Sequence, residues 1–178
     1  MPRCWLSIGT NQDREASLRG AVTDLRAAFG GLVLSSVYES PAEGFSGAPF
    51  LNLVAGIETH LRVAEIDRVL RGIEDAHGRV RGPDKFAPRT LDIDLLTYGD
   101  RVGTLDGRAL PRDEILRYAF VLCPLAEVAP NEIFPGGGQT FGELWTGLRR
   151  ADPPLSRFPM DFQEPVSRRH RPRTDPAA

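Results

Sequence analysis

Asp92 and Asp94 stand in an apolar run, Leu91-Asp92-Ile93-Asp94-Leu95-Leu96, and on an extended chain residues two apart share a face roughly 7 Å apart. Two carboxylates on one face of an apolar strand repel each other and lose solvation unless a positive charge sits between them. Magnesium fits that need, because it takes one or two carboxylates and completes its shell with phosphate oxygens and water. An edge strand holding its aspartates in water is the alternative reading. Arg79, Arg81, Lys85 and Arg89 lie just upstream of the pair. Cations beside a two-carboxylate metal site are what phosphoryl or pyrophosphoryl transfer requires, since its catalysis is mostly positioning and charge stabilisation. A charge run can equally be a solvated face. Here Pro83, Phe86 and Pro88 interrupt the charges, which suits a loop that folds over a ligand.

Absences narrow the machinery. Lys85 is the only lysine and is followed by Phe86, so there is no Walker A motif and no protein-kinase strand lysine. Phosphate contacts therefore fall to arginine, whose planar fork suits bidentate anion recognition. His60, His77 and His170 are scattered, and no local motif sets a base beside a serine or cysteine, so nucleophilic catalysis has no support. Cys4 and Cys123 sit in apolar surroundings without metal-ligand spacing, which predicts neither zinc nor a disulfide. The formal net charge of −2 argues against a nucleic-acid coat. With no signal-peptide layout and no run of 18 apolar residues, a cytoplasmic, membrane-free protein is expected.

The elements that must position these groups follow from periodicity. A chain of 178 residues, 41% hydrophobic, predicts one packed domain. Residues 4–8 read as a strand, 13–29 as a helix stopped by Gly30-Gly31, and 32–38 as a second strand. Residues 40–49, with two Pro and two Gly, read as a loop long enough to suspect function. A strand over 50–59, a helix over 63–77, the cationic segment 78–90 and a strand over 91–98 come next. Beyond them, 99–111 reads as a turn and irregular edge, 113–118 as a short helix, 120–128 as an apolar element and 140–149 as a last helix. A domain over 1–150 with a loosely ordered, Pro-rich and basic tail over 151–178 is expected. The order strand, helix, strand, strand, helix, strand predicts an α+β, ferredoxin-like core, a mostly antiparallel sheet with helices packed on it. Such a core names no activity by itself.

The stretch Lys85-Phe86-Ala87-Pro88-Arg89-Thr90-Leu91-Asp92-Ile93-Asp94-Leu95-Leu96 resembles the signature of the 6-hydroxymethyl-7,8-dihydropterin pyrophosphokinase family. The resemblance extends to Gly9-Thr10-Asn11, Ser36-Val37-Tyr38-Glu39-Ser40-Pro41, Phe50-Leu51-Asn52, Gly78-Arg79-Val80-Arg81 and Phe120-Val121-Leu122-Cys123-Pro124-Leu125. It implies transfer of the β,γ-pyrophosphoryl group of ATP to the hydroxymethyl oxygen of a dihydropterin, with release of AMP, in folate biosynthesis.

By that resemblance Asp92 and Asp94 hold two magnesium ions, and Arg79 and Arg89 are catalytic. Glu74, Arg81, Arg89, Leu95 and Arg112 lie on the ATP side. Phe50 and Phe120 sandwich the pterin, Asn52 bonds its edge near Ser40 and Pro41, and Phe86 closes over it. Ordinary core packing is the alternative for both phenylalanines, and a strand-edge polar residue for Asn52. The chain departs from the family at Arg112, where histidine is common, and at Tyr118, where arginine is usual. ATP and a dihydropterin are the expected partners, with no nucleic acid or membrane, and a monomer is expected. Other readings of the same residues are a diverged paralogue, a different metal-dependent nucleotidyl or phosphoryl transferase, and a non-catalytic ferredoxin-like binding module. Sheet aromatics of the RNA-binding type are absent, which counts against the last.

Overall fold

A computed structural model describes residues 1–42, 47–79, 91–148 and 155–162. The elements in chain order are β1 (Arg3–Thr10), α1 (Arg14–Phe29), β2 (Val33–Leu34), β3 (Val37–Ser40), β4 (Phe50–Glu58), α2 (Val63–Ala76) and β5 (Asp92–Tyr98). They continue with β6 (Gly103–Leu105), β7 (Arg108–Leu110), α3 (Glu114–Arg117), α4 (Ala119–Val128), α5 (Phe141–Leu148) and β8 (Ser156–Phe158). The main sheet runs β5-β1-β4-β3-β8, with β2 also on β4, and its pairings are antiparallel. This is the expected α+β, ferredoxin-like order.

Side-chain alternation splits the sheet between two cores. Cys4, Leu6 and Ile8 of β1, with Leu51, Leu53, Ala55 and Ile57 of β4 and Ile93 and Leu95 of β5, pack under α1 and α2 through Leu18, Leu25, Ile66 and Leu70. On the opposite face Trp5, Val54 and Leu96 meet Ile115, Val121, Leu122, Leu125 and Phe141. Ordinary alternation sends the consecutive Leu95 and Leu96 into different cores, and the β1–β5 register shifts just beyond Leu95. This second helical layer covers one end of its face only. Ser7, Gly9, Asp92 and Asp94 are therefore half-exposed, although each lies within a strand.

Gly56 shows how tight the covered end is, since an added Cβ would lie 2.6 Å from Trp5 Cζ3. Gly56→Ala is expected to cost about 1–3 kcal/mol by overpacking, read as a lowered denaturation midpoint at unchanged m-value.

Three expectations are amended. The second strand breaks into β2 and β3, because Leu34 faces Ala55 while Tyr38 faces Asn52, leaving one extra residue on that side. Ser35 takes up the slack, bonding Val54 both through its backbone N–H and through its side-chain oxygen. Residues 103–110, read as irregular, form the hairpin β6–β7 across Asp106-Gly107, whose φ values of 48° and 83° match a tight two-residue turn. Finally, the expected loose tail contributes β8, which pairs with β3 while Phe158, Met160 and Phe162, two residues apart, pack against the α1–α2 core. Among the described residues no helix is long and apolar enough to cross a membrane. Among the described residues no disulfide forms between Cys4 and Cys123, and burial pushes the Cys4 thiol up to about 11.

Candidate active site

The uncovered half of the second face is organised by strand register. Gly9 of β1 stands between Asn52 of β4 and Asp92 of β5, and Ser7 stands between Val54 and Asp94. Adjacent strands lie about 4.8 Å apart, so Asn52 and Asp92 face each other across roughly 10 Å of sheet with a residue lacking a side chain in between. A Cβ at Gly9 would come within 3.2 Å of Asn52 Oδ1 and 4.0 Å of Phe50 Cδ1. Glycine thus keeps open a trough from the Asn52 side to the carboxylate pair.

On the β4 side Asn52 is buried, and its Nδ2 donates to Ser40 Oγ at 2.8 Å and to the Tyr38 carbonyl at 3.4 Å. Those bonds fix the amide's orientation. Phe50 is half-buried and pairs with Ser40, while Pro41 is exposed. Phe120, the second residue of α4, is half-buried and stacks on Tyr118 at 4.9 Å between centroids. Because α4 packs on β3 and β4, Phe120 belongs to the layer above Phe50 and Asn52. Glu127, also on α4, anchors that layer by accepting from the Tyr38 hydroxyl at 2.5 Å and from Ser36 N and Oγ at 2.9 and 2.7 Å. Burial would raise the Glu127 carboxyl, but these donors outweigh it and hold it below the usual range.

On the β5 side, Arg79 Nη1 lies 2.5 Å from Asp92 Oδ1 and 2.9 Å from Glu74 Oε1, and also donates to the Leu91 carbonyl. Glu74, buried on the last turns of α2, accepts from the backbone N–H of Ile93 at 2.8 Å. Since β5 is a sheet edge, Glu74 satisfies an outward amide and fixes the strand that carries the aspartates. Glu74→Ala should cost about 2–3 kcal/mol in chemical denaturation, because it strands that amide and removes a partner of Arg79.

Asp94 titrates above the usual carboxylate range, through burial first and the Asp92 charge second, with Arg112 and Arg108 pulling the other way. Its surroundings thus favour added positive charge. Arg108 Nη1 is 3.8 Å from Asp94 Oδ1, while its Nε donates to Asp67 Oδ2 at 2.9 Å. Sequence reasoning missed Arg108, although Asp106-Gly107 signals the hairpin that delivers it. Arg112 is tied to Glu114 at 2.5 and 3.0 Å, and its backbone N–H reaches the Leu96 carbonyl. Arg117 is exposed and engaged with Asp113 and the Tyr118 hydroxyl, on the side of its own short helix.

The Leu95 side chain is fully buried in the α1–α2 core, so a nucleotide contact at this position falls to its backbone. Arg81, Phe86 and Arg89 lie outside the described residues.

Among the described residues no cluster of three or more His, Cys, Asp or Glu could cage a metal. Two hard carboxylates on one open face suit magnesium, which leaves most of its shell to phosphate and water.

An antiparallel ferredoxin-like sheet with a carboxylate pair, surrounding arginines and an adjoining polar trough suits phosphoryl-group transfer. The sequence model of 7,8-dihydro-6-hydroxymethylpterin-pyrophosphokinase (HPPK) matches residues 5–130. The chain belongs to that family. It is 38% identical over 157 residues to the 2-amino-4-hydroxy-6-hydroxymethyldihydropteridine pyrophosphokinase of Methylorubrum extorquens, covering 86% of this chain and 96% of the relative. The protein of the same name from Synechocystis is 36% identical over 130 residues, covering 72% of this chain and 66% of its own. In fold, the chain is similar to the wild-type HPPK-DHPS of Plasmodium falciparum with pteroate, at TM-score 0.66 and 13% identity, over 84% of this chain and 43% of that one.

Proposed function

We propose that the chain carries out its family's reaction on this shelf, with the pterin over the Asn52 trough and the ATP triphosphate at Asp92 and Asp94. As a family member it is a pyrophosphokinase of folate biosynthesis that uses ATP. The observation that carries the site assignment is the register row Asn52–Gly9–Asp92, which sets a polar ring-binding edge beside the carboxylates across an open glycine. Asn52, oriented by Ser40, reads the pterin edge, Pro41 borders it, and Phe50, Phe120 and Phe86 hold the flat ring by stacking. The ring so placed directs its hydroxymethyl arm along the trough toward Asp92.

The hydroxyl oxygen then bonds to the β-phosphorus as the bond from that phosphorus to the α,β-bridging oxygen breaks, the hydroxyl proton is lost and AMP leaves. Asp92 and Asp94 are the residues that would hold magnesium, two ions in this proposal, which when bound neutralise phosphate charge and orient the reacting oxygens. Arg79 holds Asp92 in place and keeps a positive charge beside the transferring group, with Arg89 acting from the adjoining segment. Glu74 braces this arrangement, while Arg81, Arg108 and Arg112 supply charge to the nucleotide side.

A panel of hydroxyl acceptors tests the reading. 6-Hydroxymethyl-7,8-dihydropterin is expected to exceed other hydroxymethyl heterocycles by orders of magnitude in kcat/KM, and equal use of unrelated alcohols would contradict the trough assignment.

A further inference from the structure

Arg14, the first residue of α1, is used by no step above, yet three segments converge on it. The turn before the helix places Asp13 at φ 43°, and Arg14 extends from it across the end of the sheet. Its Nη1 donates to Glu39 Oε2 at 2.7 Å and to the Pro49 carbonyl at 3.1 Å. Its guanidinium also lies 5.5 Å from the ring centroid of Phe158 on β8. Glu39 immediately precedes Ser40 and Pro41, and Pro49 immediately precedes Phe50, two residues before Asn52. One guanidinium therefore grips both sides of the strand pair that carries the proposed pterin contacts. From the neighbouring register position, Arg157 of β8 lies 5.9 Å from the Tyr38 ring centroid, and the Tyr38 carbonyl is itself a partner of Asn52.

We infer that Arg14 is a positioning residue for the pterin site: it clamps Glu39 and Pro49, with Phe158 as its backing, so that Ser40, Phe50 and Asn52 keep the geometry that reads the ring. The inference rests on the pterin assignment made above. A planar, multidentate donor suits this task, since a lysine cannot hold the carboxylate and the carbonyl while stacking on the phenyl ring. The strands that Arg14 holds, β3 and β4, are separated by β1 from the β5 carboxylates, so its influence should fall on pterin binding and spare ATP.

The test is steady-state kinetics on the full chain with each substrate varied in turn, together with dihydropterin binding followed by fluorescence. Arg14→Ala is expected to raise the pterin KM and Kd about five- to tenfold, an effect of the size of a charge-assisted contact pair, with the ATP KM unchanged and kcat within about twofold. Glu39→Gln should reproduce the direction, and serves if Arg14→Ala does not fold. Arg14→Lys should recover only part of the pterin affinity. An unchanged pterin KM in both the Arg14 and Glu39 variants, or equal rises for both substrates, overturns the assignment. Asn52→Ala separates the two levels. If it loses pterin affinity while Arg14→Ala keeps it, only the clamp fails; if the wild-type chain binds no dihydropterin, the site reading fails and takes the clamp with it.

Discussion

Asp94→Ala is expected to lower kcat by about a thousandfold or more while leaving the fold intact. The size follows from the several kcal/mol that a metal-held phosphate contributes to its transition state, each 1.4 kcal/mol being tenfold in rate. The intact fold follows from the local electrostatics. Burial and the neighbouring Asp92 both disfavour the Asp94 charge, so removing it relieves repulsion rather than breaking a stabilising pair. Arg108, in salt-bridge range of Asp94 among the described residues, is 3.8 Å away and keeps Asp67 as a closer partner. Kinetics and a thermal melt on the same preparation check both halves. A variant with near-normal turnover would remove Asp94 from the metal assignment.

Arg79→Ala carries the second-largest expected effect, a fall in kcat of about a hundred- to a thousandfold, the range seen when one preorganised charge-stabilising donor is lost. Unlike Asp94, Arg79 is also structural, because it bonds Glu74, the Leu91 carbonyl and Asp92 together. The alanine variant is therefore expected to melt earlier as well. Arg79→Lys separates the roles: one ammonium restores charge and much of the stability but cannot reproduce the fork, so the rate should stay depressed. If kcat were preserved and only the ATP KM rose, Arg79 would bind substrate equally in ground and transition states and would have no catalytic role.

Much of this is legible because the apolar alternation of β1, β4 and β5 is strong, and because Asp92 and Asp94 stand on one face of it beside a cationic segment. The signature around them fixed the family, and family membership followed from residues 5–130. What escaped reading depends on register. Nothing in Gly9 or Asn52 alone says that they are neighbours, since that is decided by the β1–β4 pairing of residues 43 positions apart. The Ser35-Ser36 bulge was hidden because serine in a short β-rich run gives no period to break. Arg108 is hard to read because the strands flanking Asp106-Gly107 have three residues each, too few to show a period. The motif sets Leu95 on the nucleotide side, while alternation with Ile93 turns its side chain into the core. β8 has only three residues, too few for periodicity, and the alternating Phe158, Met160 and Phe162 were the available signal.

The most direct measurement mixes the protein with magnesium, ATP and 6-hydroxymethyl-7,8-dihydropterin and follows AMP, with parallel reactions lacking the pterin or the metal. AMP formed one-for-one with pterin diphosphate, and in neither control, is the predicted result. Formation of ADP in place of AMP, or AMP released at the same rate without the pterin, would contradict pyrophosphoryl transfer to the hydroxymethyl oxygen at this site.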